Sequence, residues 1–287
     1  MLSTPNPPGD DFVPSRFCAP IRPRAEAAQR RRLHRDLAAA VEQQELVLHY
    51  QVRRSLVTGA RTDMEALLRW PHPRRGMVPA STFIPLAEET GLITAIGGWV
   101  LLTACLEAAR WPDPLVVSVN VSARQIADRA LLGQVAAALD ASGLNPERLE
   151  IELSESAAFS IDTDTLLTLS AIRDLGAGIG LDDFGANLAS LSMLRRLPLT
   201  AMKLDRSLVR DLPFDREGAA IVHAVIEAAH ALGLTVVAEG IETEPQLAFL
   251  SGCGCDEGQG FLFGRPVPAE ALRREAPPPA PGGRLRA

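Results

Sequence analysis

Four cysteines in 287 residues, Cys18, Cys105, Cys253 and Cys255, are too few and too scattered for a disulfide framework. No apolar export segment follows the N-terminus, so a reducing cytoplasm is the expected location. An excess of positive charge is missing too: 29 basic against 35 acidic residues leave a net charge of −6. That balance argues against a general binder of DNA, RNA or anionic membranes. Long hydrophobic runs are also absent. The longest uncharged stretch, 90–106, has 17 residues, three glycines and three threonines among them. A membrane helix needs about 20 apolar residues, so this stretch reads as a loop and a buried helix, and no membrane insertion is expected. There is no Gly-rich phosphate loop, no Ser nucleophile elbow and no internal repeat. His223 and His230 lie seven apart on one helix pattern without a zinc motif around them, and Cys253-Gly254-Cys255 lacks a second pair at zinc spacing.

What remains is 47% apolar and 22% charged, the composition of a folded globular chain. Ten of the 22 prolines fall in 1–23 and 277–287, so 1–25 and 276–287 read as disordered tails around one unit, 26–275. The arginine-rich run 22–35 leads into Leu33, Leu37 and Val41 at helical spacing, which makes its charges a solvated helix face. Beyond it, short β-branched and aliphatic runs recur at 46–51, 64–69, 115–121, 149–153, 178–181, 201–204, 234–238 and, weakly, 255–259. Amphipathic stretches such as 130–142, 164–175, 217–232 and 244–250 separate most of them. This βα rhythm, with about eight strands in roughly 250 residues, predicts a TIM-like (β/α)8 barrel, with a doubly wound open sheet as the rival.

The barrel is favoured because polar side chains stand at one end of nearly every run. They are Gln51, Glu65, Asn120, Glu152 with Glu155, Asp182 with Asp183, Lys203 with Asp205, Glu239 with Glu242, and Gln259. A lone acid at a strand end is ordinarily a cap, but in a parallel barrel every strand's C-terminal end opens on one face, so the set converges. So many carboxylates repel one another unless a cation neutralises them. Hard oxygen donors without convergent His or Cys favour Mg²⁺ or Mn²⁺ (or Ca²⁺) over zinc. The adjacent Asp182 and Asp183 point to two ions, the arrangement used for in-line attack on a phosphodiester. The residues therefore predict a metal-dependent phosphodiester hydrolase.

The motifs MEALLRW, FIPLAEETGLI, NVSARQ, IELSES, LDDFG, MKLDRSLV, VVAEGIET and QGFLFGRP follow in this order from Met64 to Pro266. Over 33–270 the chain thus resembles EAL domains, the bacterial cyclic di-GMP phosphodiesterases. The resemblance implies a TIM-like barrel with one strand antiparallel, and hydrolysis of cyclic di-GMP to linear pGpG. It implies metal ligands at Glu65, Asn120, Glu152, Asp182, Asp183 and Glu239, with Asp183 shared between two ions. Lys203 matches the lysine that holds the attacking water and acts catalytically with Glu65, Asp182, Asp183 and Glu239. Gln51, Arg69, Asp205 and Gln259 match substrate-side positions, and Glu155 matches the glutamate that ties down the loop after LDDFG. Two Mg²⁺ or Mn²⁺ ions are the implied cofactors, with Ca²⁺ expected to inhibit. A homodimer is a habit of the family, and regulatory input is expected from an unidentified protein partner. One stretch departs from the family pattern: Asn187, Leu188 and Ala189 replace a glycine, an aromatic and a serine. A less ordered loop there would leave a cyclic di-GMP receptor rather than an enzyme, which is the alternative reading. Replacing Glu65 or Lys203 is expected to abolish turnover and leave the fold intact.

Overall fold

The computed structural model describes residues 23–159, 161–186 and 194–275. Most of both tails, and Asn187, Leu188 and Ala189, fall outside the described residues; Pro23, inside the expected N-terminal tail, already opens a helix. That helix, α1 (Pro23–Glu42), seals one flank of the barrel with Leu33, Leu37 and Ala40.

Among the described residues ten strands form one sheet: β1 (Val47–Ser55), β2 (Arg61–His72), β3 (Gly76–Val78), β4 (Val116–Val121), β5 (Leu149–Ser154), β6 (Gly178–Phe184), β7 (Ala201–Leu204), β8 (Thr235–Ala238), β9 (Glu257–Gln259) and β10 (Val267–Pro268). β1 pairs with both β2 and β9, so the sheet closes into a barrel of eight strands, while β3 and β10 are short additions outside it. From β2 through β4 to β9 every neighbour is parallel. β1 alone in the barrel runs the other way, and connection length explains it. The link 56–60 makes a tight turn, with Gly59 left-handed (φ 71°) and its N–H bonded to the Ser55 carbonyl. A link this short can join only antiparallel neighbours, whereas the parallel strands are separated by connections long enough to return to the same end.

The helices are α2 (Ala80–Thr90), α3 (Leu92–Ala108), α4 (Ala123–Ala127), α5 (Ala130–Ser142), α6 (Glu155–Phe159), α7 (Thr163–Asp174), α8 (Arg206–Val209), α9 (Arg216–Ala231), α10 (Glu244–Gly252) and α11 (Ala269–Glu275). The uncharged stretch expected as loop and buried helix supplies the turn at Gly91 (φ 80°) and most of α3. Ile93, Ile96, Val100, Leu101, Ala104 and Ala108 of α3 are buried at helical spacing. Among the described residues no single helix is long and apolar enough to cross a membrane.

Strand alternation separates two interiors. Leu149, Ile151 and Leu153 of β5 are fully buried in the apolar core, while Glu150 and Glu152 point into the barrel lumen. Capping residues then end the strands promptly. Ser122 and Gln125 form a capping box that starts α4 two residues after Asn120, and Thr243 with Gln246 does the same for α10 just past Glu239. The polar strand-end residues are thereby left at the mouth.

Close backbone approach fixes one corner of that mouth. A Cβ on Gly260 would lie 2.1 Å from the Ile241 carbonyl oxygen and 2.4 Å from its nitrogen. Main chain cannot swing aside as a side chain does. Gly260→Ala is expected to cost roughly 1–3 kcal/mol of stability, read as a lower urea midpoint; an unchanged midpoint would show that the contact can relax.

Candidate active site

At the centre of the mouth stands Lys203 of β7, fully buried. Its ammonium lies 2.8 Å from Glu239 Oε1, 3.0 Å from Glu152 Oε2, 3.1 Å from Asp182 Oδ1 and 3.4 Å from Glu65 Oε2. Four strands thus deliver a carboxylate to one cation. Burial disfavours the charge on Lys203, but the carboxylates of Glu152, Glu239, Glu65 and Asp182 overcome it and hold its pKa well above the ordinary value. It is a permanent cation and donor.

The acids around it are not equivalent. Burial pushes Glu65 up, yet Lys203 and the amides of Gln259 and Asn120 outweigh burial and hold it below the ordinary range. Those amides donate to its two oxygens, Gln259 Nε2 at 2.6 Å and Asn120 Nδ2 at 2.7 Å. Gln259 Nε2 also donates to Gln51 Oε1 at 3.2 Å, and Gln51 is anchored on the Gly264 carbonyl. Glu152 is raised well above the ordinary value by burial, which outweighs Lys203. Burial, with help from Asp182, brings Glu239 to about 7; burial, Asp182 and Asp205 bring Asp183 to about 6.

Consecutive strand residues point to opposite faces, so Asp182 and Asp183 ought to diverge. The backbone prevents this: Asp183 has φ 59°, the left-handed region, and the β6–β7 register shifts between Leu181 and Phe184. The irregularity turns Asp183 toward the same cluster, the kind of re-aiming that bulges supply at barrel rims. The following residue is held too, because Gly185 N–H donates to Glu155 Oε2 at 2.9 Å.

Carboxylate oxygens of Glu65, Glu152 and Asp182 lie within 4.8 Å of one another, as do those of Asp182, Asp183 and Glu239. Both groups are suited to a divalent cation: they are hard oxygen donors, crowded, buried or half-buried except for the exposed Asp183, and short of compensating charge. Asp182, rather than Asp183 as the resemblance implied, belongs to both. Asp205 stands aside from the groups; its Oδ1 accepts from Ser207 N–H and caps α8.

Two cavities flank Asp182. One, about 280 Å³, is lined by Gln51, Glu65, Glu239 and Gln259, and also by Arg206 and Phe261. The other, about 320 Å³, has Arg69, Asn120 and Asp183 in a mostly apolar wall from α2 and α3. Arg69 thus lines a different cavity from Gln51 and Gln259. Phe261, half-exposed with the Arg265 guanidinium 4.1 Å from its ring centre, escaped the sequence reading because it lies beyond the strand end. An aromatic two residues after Gln259 was the available signal.

The residue pattern in this geometry matches a known family. The family model described as "EAL domain" matches residues 34–266. The chain belongs to the EAL domain family. It is 43% identical over 252 residues to the bifunctional diguanylate cyclase/cyclic di-GMP phosphodiesterase MucR of Pseudomonas aeruginosa, covering 86% of this chain and 37% of that protein. To the cyclic di-GMP phosphodiesterase PdeR of Escherichia coli it is 40% identical over 245 residues, covering 84% and 37%. Its fold matches the structure of the PaMucR phosphodiesterase in complex with c-di-GMP with a TM-score of 0.79, at 43% identity, over 84% of this chain and 99% of that one. The chain spans about a third of the length of the curated relatives it matches. The expected barrel with one reversed strand is thus the fold of this EAL domain.

Lys203 is paired with four acids that its removal would strand in the lumen; breaking a buried ionic set in this way costs about 3–5 kcal/mol. Its substitution reports on folding as well as chemistry.

Because Asp183 and Glu239 hold protons up to about pH 6 and 7, a cation entering their group competes with protons below those values and not above them. The rise in melting temperature caused by Mn²⁺ is therefore expected to be larger at pH 8 than at pH 6. Equal rises at both pH values would remove these two carboxylates from the cation site.

Proposed function

We propose that this EAL domain hydrolyses one phosphodiester bond of cyclic di-GMP to give linear pGpG. The observation that carries the reading is the pair of carboxylate groups sharing Asp182 beside the buried Lys203. Glu65, Asn120, Glu152 and Asp182 would hold one Mg²⁺ or Mn²⁺, and Asp182, Asp183 and Glu239 a second. The chemistry such a pair supplies when bound is activation of a water and neutralisation of charge on the leaving oxygen.

The chain's own residues do the rest. Lys203, fixed as a cation, donates to a lone pair of the attacking water and orients it. Gln51 and Gln259 hold Glu65 and face the substrate from one cavity. Arg69 faces it from the other, with the forked geometry suited to a phosphate or a guanine edge. The two cavities on either side of Asp182 give the two nucleotide halves separate places, which supports a dinucleotide substrate. Glu155 steadies the backbone after Asp183, and Asp205 adds negative charge beside it. Ca²⁺, with its looser coordination, occupies the same groups and inhibits. This reading places the domain in the cytoplasm, dimeric in the manner of its family, with regulation from a protein partner.

Incubation with cyclic di-GMP and Mn²⁺ should yield pGpG, and a chelator should stop it. Glu65→Gln, which keeps shape and removes charge, is expected to lower turnover more than about 100-fold, beyond the range seen for partners one step removed from a metal. Binding of cyclic di-GMP without turnover, in Mg²⁺ and in Mn²⁺, would instead make the domain a receptor.

A further inference from the structure

Beneath the mouth lies a second polar layer. Two positions along the chain from Gln51, Glu65, Asn120, Glu152 and Gln259, and on the same side of each strand, are Arg53, Asp63, Ser118, Glu150 and Glu257. TIM-type barrels ordinarily fill such a layer with branched apolar side chains. Here Arg53, 3% exposed, is its hub. Arg53 Nη2 donates to Ser118 Oγ at 2.9 Å, Glu150 Oε1 at 2.9 Å and Glu152 Oε1 at 3.2 Å, and lies 3.1 Å from Asp63 Oδ2. Nη1 reaches Glu257 Oε2 at 3.4 Å. Ser118 Oγ donates in turn to Asp63 Oδ1 at 2.6 Å. On β6 the layer is kept open by Gly180, where a Cβ would meet Glu150 Oε1 and Glu152 Cγ at 3.3 Å.

Glu152 is the residue common to both layers. Its Oε2 meets Lys203 and its Oε1 meets Arg53, so two cations, one from β7 and one from β1, fix both ends of one carboxylate. A carboxylate held at one oxygen can pivot, and one held at both cannot. Arg53 is itself tied to β2, β4, β5 and β9, so it has no freedom to follow a wandering Glu152.

We infer that Arg53 is a positioning residue for the active site, holding Glu152 in the orientation that the first carboxylate group needs to bind its cation. The inference rests on the reading of Glu152 as one of the cation-holding groups. Arg53 touches neither substrate nor reacting atoms; it acts through Glu152, as outer-shell partners of metal ligands do.

The decisive variant is Arg53→Lys, which keeps the charge and loses the fork, so that electrostatic repulsion of the cation is unchanged while the bracing is lost. Ca²⁺ affinity is measured by calorimetry on the full chain, alongside melting temperature and steady-state hydrolysis of cyclic di-GMP in Mn²⁺. The expected result is a Ca²⁺ dissociation constant about 10-fold or more above the parent's, in the range for outer-shell substitutions. kcat should fall while KM for cyclic di-GMP stays near the parent's value. Ser118→Ala, which removes one tether of Arg53 and no charge, should shift Ca²⁺ affinity the same way by less; it stands in if Arg53→Lys does not fold. A folded variant with a lowered melting temperature and parental Ca²⁺ affinity would make the layer purely structural and overturn the inference. Failure of the parent chain itself to bind Ca²⁺ or Mn²⁺ would overturn the cation site and this inference together.

Discussion

A single ammonium group organises this barrel. Lys203 is fully buried, and four carboxylates from β2, β5, β6 and the end of β8 surround it within 3.4 Å. Neither the lysine nor the acids are tolerable alone in such a place. Together they still leave a surplus of negative charge, and that surplus gives the mouth its appetite for divalent cations. Fold and chemistry meet in one charge balance.

The balance extends downward through Glu152 to Arg53, giving the lumen a polar column where barrels usually pack aliphatic side chains. Such a column contributes little net stability, since desolvating its charges offsets much of their attraction. Its value is directional. Apolar packing fixes where a side chain sits, whereas opposed ion pairs fix where its oxygens point. The apolar work is done outside the strands, by residues such as Ile151, Leu181, Met202 and Val236 under the helices.

Much of this was readable from residue order. The eight barrel strands lie where short aliphatic runs predicted them, and the polar residues at the C-terminal ends of the parallel strands converge apart from Asp205, while Gln51 reaches the same mouth from the middle of the reversed β1. What could not be read depends on geometry that residue types do not encode. Asp182 and Asp183 share a site only because Asp183 adopts a left-handed backbone; strand periodicity alone would have separated them. Arg53 escaped because attention to strand ends stops at Gln51, and on the reversed strand the next inward residue lies deeper in the barrel rather than further out. The polar alternation in Asp63 and Glu65, or in Glu150 and Glu152, was the trace of that layer. Arg69 and Asp205 look like neighbours of the core residues in the sequence, yet one lines the second cavity and the other caps a helix.

The reversal of β1 also sorts the barrel's connections. Since β2 ends at the mouth, the turn between Ser55 and Arg61 lies at the opposite pole, with Val57 at its tip 85% exposed. Sequence added to that turn would grow into solvent far from Glu65 and Lys203, and the β1–β2 register would still be held by the pairs from Val47 to Arg53. The pole opposite the mouth is therefore where this domain can lengthen, carry a fused segment or diverge in sequence without disturbing its site.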